Sequence, residues 1–165
     1  KDHGLDLDAM ALDYSKKYKD YKSEQKAMGN LEYAKVPCIN HPIFKGKDIN
    51  FDPREEFVRK LFAEKGISNV FLDYYHSIVN SMFKAKVSKN VYCVNIDAVI
   101  AVILLKMVWG EYKAGKMAER DIETSSFATF LFGRMIGCAA EIDDHTFRGK
   151  NMDTRTAASK CSFVG

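Results

Sequence analysis

Three short runs in this chain hold residue types that can do chemistry at positions where a fold can aim them. The first, Val36-Pro-Cys-Ile-Asn-His-Pro-Ile-Phe-Lys-Gly-Lys-Asp-Ile-Asn-Phe-Asp-Pro-Arg54, puts His41 in a proline-flanked loop and Arg54 at a helix start. An imidazole can give or take a proton near neutral pH. A guanidinium on a rigid helix start can hold an anion. The second run, Val94-Asn-Ile-Asp97, sets a carboxylate ahead of a wholly apolar stretch. Poor solvation on the core side can poise such a group as a base. The third, Phe132-Gly-Arg-Met-Ile-Gly137, carries Arg134 within an apolar helix face. A buried arginine there must meet a carboxylate, from Asp97, Glu141 or a ligand. These are parts of an acid/base site for an anionic substrate. Each also has a plainer reading: His41 as a surface loop residue, Asp97 as a helix N-cap.

Other charged positions are ambiguous. Lys45 and Lys47 flank Gly46 and either meet phosphates or are simply solvated. Arg148, Lys150 and Arg155 in the tail stand open in the same way. The run Glu141-Ile-Asp-Asp144 with His145 holds metal-ligand residue types. Only Glu141 and His145 share a helical face, so the spacing does not suit a metal centre. Tyr14, Tyr18 and Tyr21 read as packing or interface residues. No phosphate-binding loop is present.

The elements that must position these residues are helical. Met10, Tyr14, Tyr18 and Tyr21 recur at helical spacing over 5–28, as in a surface helix or one that packs on a partner, and Gly29-Asn30 ends that helix. Residues 35–51 form a loop. Asp52 then caps a helix, Pro53 suits its first position, and Glu55 completes a capping box. Its buried face is Phe57, Val58, Leu61 and Phe62, and Gly66 stops it. A second helix with two apolar faces runs over 69–84. A third, over 97–109, is apolar nearly all round and belongs at a domain centre. A strand competes for so β-branched a run, but its length and neighbours favour helix. Residues 110–120 read as loop and 121–145 as a long helix. Gly133 and Gly137 leave room there for another backbone. The tail is polar. The fold class is all-α, with helices packed around the central apolar one.

The bulk properties narrow the classes. The chain has 165 residues, 47% hydrophobic and 28% charged, enough for a globular domain with a core. A net charge of +3, with bases and acids interleaved, gives no argument for nucleic acid. The longest apolar stretch, Ala98–Leu105, is broken by Lys106, far short of the ~20 residues of a membrane span. The four cysteines show no CxxC pairing. Cys93 and Cys138 fall in apolar helical patterns and read as small buried hydrophobes. A reduced, cytoplasmic setting is expected. The chain starts without Met, so a fragment of a longer polypeptide is expected.

Taken together, the three runs resemble the citrate synthase superfamily, most closely the C-terminal citryl-CoA lyase module of the ATP-citrate lyase type. His41 to Arg54 resembles the family's Gly-(Phe/Ile)-Gly-His…Asp-Pro-Arg segment, with Asn40 in place of the glycine before the histidine. Asn95-Ile-Asp97 resembles its Asn-Val-Asp segment. Phe132–Gly137 resembles its Gly-Arg-Ser-Met-Gly segment. The resemblance spans 35–165 in the same order, with 1–34 as a divergent helical lead-in. It implies a citrate-synthase-like helical domain, partial in this chain, that cleaves citryl-CoA to acetyl-CoA and oxaloacetate or runs the reverse condensation. It implies that His41 bonds the oxaloacetate carbonyl or citryl hydroxyl, and that Asp97 moves the acetyl methyl proton. Arg54 and Arg134 would clamp substrate carboxylates, Arg155 would reach a neighbouring subunit's site, and Lys45 would lie near coenzyme A phosphates. No metal is implied. The implied partners are citrate or oxaloacetate, a CoA thioester, and a homo-oligomer or the other parts of an ATP-citrate lyase, which would hold the ATP-dependent steps. The family's first catalytic histidine has only His3 to imitate it. The alternative is a non-catalytic helical module that serves oligomerisation of a larger complex.

Overall fold

A computed structural model describes residues 4–148. Among them the secondary structure is helical, with no strand, as the all-α reading expects. The order is α1 (Leu7–Ala27), α2 (Pro53–Glu64), α3 (Val70–Lys84), α4 (Ile96–Lys113) and α5 (Glu119–Arg148). The chain divides into two compact units, the first through Glu123 and the second from Thr124.

In the first unit α1 lies along α3. The seam is made by Ala11 and Ser15, both 0% exposed and one turn apart, whose small side chains let the backbones approach. The expected stripe lies beside this seam, since Met10 and Tyr14 are exposed. The tyrosines pack elsewhere. Tyr14 stacks on Tyr18, the Tyr18 hydroxyl donates to Ala34 O at 3.3 Å, and Ala34 N–H donates to the Tyr21 hydroxyl at 3.2 Å. They bind the chain that follows α1. Lys19 and Lys22 reach from α1 to the carbonyls of Ala85 and Val87 at 2.9 and 3.3 Å. Carbonyls just past a helix end lack intrahelical partners, so these lysines finish α3.

Asn69 caps α3, accepting from the N–H groups of Phe71 and Leu72, and its Nδ2 donates to Val102 O at 3.1 Å. One cap thus ties α3 to α4. The two apolar faces of α3 are both used. Ile78 and Met82 pack with Ala11 of α1. Leu72 and Val79 pack with Val94, Ala98, Val99 and Val102. Each buried Val, Leu, Ile or Met among them contributes about 1.5–3 kcal/mol.

Helix α4 continues to Lys113, through the stretch that reads as loop, and Gly110 is accommodated inside it. Its buried side is Ala98, Val99 and Val102; Ile100, Ala101 and Ile103 are half-buried, and Met107 is exposed. Helix α2 departs from expectation. Val58 and Phe62 pack on the core, but Phe57 and Leu61 are 42% and 38% exposed. Asp52 and Glu55 anchor it instead, and that polar attachment turns the 57/61 row outward. Cys93 is buried as expected but lies in the segment ahead of α4 rather than in a helix, whereas Cys138 is exposed on α5. No helix among the described residues is long and apolar enough to cross a membrane.

Candidate functional site

The site is built where the 36–51 loop is laced to the segment ahead of α4. Ile39 bridges Val94 and Ile49 bridges Val91. Asn40 N–H donates to Cys93 O at 3.0 Å and Asn95 N–H to Cys38 O at 2.9 Å. Buried Asn50 closes the other end, its Nδ2 donating to Lys47 O and Val91 O while its Oδ1 accepts from Lys47 N–H. The lacing forces Cys38 and Asn40 to φ +58° and +63°. Side chains other than glycine's lose about 1–2 kcal/mol in that region, asparagine least.

This turn presses His41 against Cys93, whose Sγ accepts the His41 N–H at 3.2 Å. Burial pushes the Cys93 thiol up, and hydrogen bonding from His41 N–H opposes it. The His41 ring stacks on Phe44 at 4.7 Å, and its Nδ1 accepts Ile43 N–H at 3.2 Å. An acceptor Nδ1 assigns the proton of the neutral ring to Nε2. The fold therefore offers one donor nitrogen in a fixed orientation.

Arg54 also meets this cluster, its guanidinium 5.5 Å from the centre of the Phe44 ring. Its Nε and Nη2 bond Asp52 Oδ1 and Oδ2 at 2.9 and 2.7 Å. Asp52 is 0% exposed and also accepts the N–H groups of Arg54 and Ile96, both at 3.0 Å. Burial raises the Asp52 carboxyl, but the Arg54 side chain and the two backbone donors outweigh it and hold the group below the usual carboxylate range. Arg54 is thus already paired, with Nη1 left over for a ligand.

The bond from Ile96 N–H changes what Asp97 does. The N-cap of α4 is Asn95, which makes no side-chain cap bond, and Asp97 is the second helical residue. A carboxylate from another helix does part of the capping, so the plainer role expected of Asp97 is not the one it takes. Its Oδ1 is sealed from solvent with no hydrogen-bond partner. An acceptor in that state costs about 1–3 kcal/mol unless something donates to it. Asp97 also acts on Arg54 and on Cys38, whose thiol is pushed up by burial and then by Asp97. Behind them Tyr75 is pushed up to about 12, by burial first and then by Cys38 and Tyr14.

His41 and Arg54 thus meet at the Phe44 ring, and Asp97 joins them through its electrostatic interaction with Arg54. Lys45 is exposed in the same loop. Arg134 belongs to the second unit, where it is exposed rather than buried and stacks on Phe130 at 4.7 Å. Among the described residues it has no carboxylate partner; a stacked, solvated guanidinium needs none. Arg155, Lys150 and His3 lie outside the described residues. No group of three metal-ligating side chains occurs among the described residues.

Two relationships escape the sequence reading. One is Asp52 serving two helices. The other is buried Glu55, which accepts from His76 Nε2 at 2.8 Å and forms an ion pair with Arg59, its Nε 3.4 Å away, instead of closing a capping box. The signal for it is in α3: His76 falls between Leu72 and Val79 on the core-facing side and so needs a partner.

No protein family matches the chain, and neither a curated protein nor a solved structure is detectably similar to it. The citrate-synthase-like resemblance rests on the three runs themselves.

Proposed function

We propose that the loop and the head of α4 form an acid/base site that cleaves citryl-CoA to acetyl-CoA and oxaloacetate, or runs the reverse condensation. The observation that carries this reading is Asp97: relieved of capping by Asp52, with a buried oxygen that no protein group satisfies. The φ of +63° at Asn40 supports it, because the position where the resembling family has glycine needs a residue that tolerates this conformation.

In the condensation direction Asp97 takes a proton from the acetyl methyl group. The enolate carbon bonds to the ketone carbon of oxaloacetate. The ketone oxygen, held by His41 Nε2–H, takes up a proton from water and becomes the citryl hydroxyl. Cleavage reverses each step. Arg54 Nη1 and, in the assembled enzyme, Arg134 and Arg155 hold substrate carboxylates, while Lys45 meets CoA phosphates. Assembly in the cytoplasm, as homo-oligomer or with other ATP-citrate lyase parts, covers the outer side of α4 and makes it the central helix of a citrate-synthase-like domain.

The second reading is a non-catalytic oligomerisation module. The Asp52–Arg54 chelate favours it, since it commits Arg54 to holding the carboxylate that ties α2 to α4 before it is an anion clamp. Incubation with citryl-CoA separates the two: release of oxaloacetate supports the enzyme, and a folded, associated protein without turnover leaves only the module. A monomer by light scattering counts against both.

A further inference from the structure

Helices α2 and α4 start side by side, tied through Asp52, and at the opposite end they part around the start of α3. The gap is a cavity of about 630 Å³. That size lies within the roughly 300–1,000 Å³ of small-molecule sites. It is remote in the chain from His41 and shares none of its residues.

Its walls combine rings and cations. Phe62 and Phe71 line it with Trp109, and the Phe71 and Trp109 rings meet edge-on at 5.0 Å. Arg59 and Lys106 enter from α2 and α4. Arg59 meets Glu55 through Nε at 3.4 Å and is half-exposed, which leaves its terminal nitrogens available. Lys106 donates one hydrogen to Ser68 O and keeps two. Asp73 is the single carboxylate among the lining residues, so cations outnumber it two to one. The first turn of α3 faces the same space and adds partial positive charge.

We propose that this cavity binds a small aromatic carboxylate, its ring against Phe71 and Trp109 and its carboxylate between Arg59 and Lys106. Rings alone would take any flat apolar molecule. Two cations on facing helices select the anionic one. The reading is independent of the His41 chemistry.

Trp109 is the chain's single tryptophan, so its emission reports on this cavity directly. The intact chain is titrated with 3-phenylpropionate, 3-phenylpropan-1-ol and propionate, following Trp109 fluorescence and checking by calorimetry. The proposal expects saturable binding of 3-phenylpropionate at least about tenfold tighter than either the uncharged alcohol or the ringless acid. Lys106→Gln and Arg59→Gln are each expected to remove that preference while the circular dichroism spectrum stays unchanged. Equal affinity for acid and alcohol overturns the proposal, as does no saturable change at millimolar ligand. Affinity for 3-phenylpropionate that weakens as the protein concentration rises overturns it too, because a second copy then competes for the cavity. If Lys106→Gln fails to fold, Arg59→Gln decides alone.

Discussion

Asp52 Oδ2 accepts the backbone N–H of Ile96 at 3.0 Å, so a single carboxylate serves the first turns of both α2 and α4. The two helices carry Arg54 and Asp97, and this bond sets their spacing. Removing it leaves a buried N–H and a half-buried guanidinium unmatched. Asp52→Ala is expected to cost about 3 kcal/mol, seen as a fall of the thermal midpoint by about 6–12 °C. Arg54→Met is expected to cost less, because two backbone donors still hold Asp52. Equal stability of Asp52→Ala and wild type would refute the shared-cap account.

The same carboxylate sets the acid limb of stability. Its folded pKa lies below the ordinary value of about 4, so its contribution is complete above that value and is lost as pH falls through the folded one. Urea midpoints measured from pH 6 downward are expected to drop below about pH 4, and to drop less steeply in Asp52→Asn.

Tyr75 governs part of the alkaline limb with the opposite sign. Its folded pKa, pushed up to about 12, lies above the unfolded value of about 10. Its contribution is therefore complete below about pH 10 and is lost as pH rises toward 12. Tyr75→Phe is expected to flatten that limb partway, since Tyr14, Tyr18 and Tyr74 are raised as well. An unchanged alkaline profile would show that the phenol is not held neutral by the fold.

The α1–α3 seam makes two opposed predictions. Ala11→Leu forces extra atoms into a closed contact and is expected to cost about 1–3 kcal/mol. Ser15→Ala removes a buried hydroxyl that has no partner and is expected to be neutral or stabilising by up to about 1 kcal/mol. Chemical denaturation of the two variants measures both; a large loss in Ser15→Ala would reveal a partner for that hydroxyl.

What was legible in the sequence followed from local rules. Asp52-Pro53, Gly66 and Asn69 mark helix ends because capping depends on a residue and its next few neighbours, and these ends stand where the rules put them. The loop ahead of α2 was legible from Pro37, Pro42 and Gly46. What was not legible is who pairs with whom across the fold. Asp52 reaches Ile96, and Glu55 reaches His76, over separations that no periodicity encodes. The α1 seam was not legible because hydrophobicity draws the eye to Met10 and Tyr14, whereas close helix contact selects the small Ala11 and Ser15. Arg134 misled because an apolar neighbourhood in sequence need not be a buried one: a guanidinium on the Phe130 ring is stable in water.

The central claim is that His41 and Asp97 are reacting groups rather than loop and cap residues. Oxaloacetate release from citryl-CoA by wild type, His41→Ala and Asp97→Asn, each at matched thermal stability, tests it most directly. The account predicts turnover in wild type and a loss of about 100-fold or more in each variant. Turnover that survives both substitutions, or none in a folded wild-type chain, would contradict it.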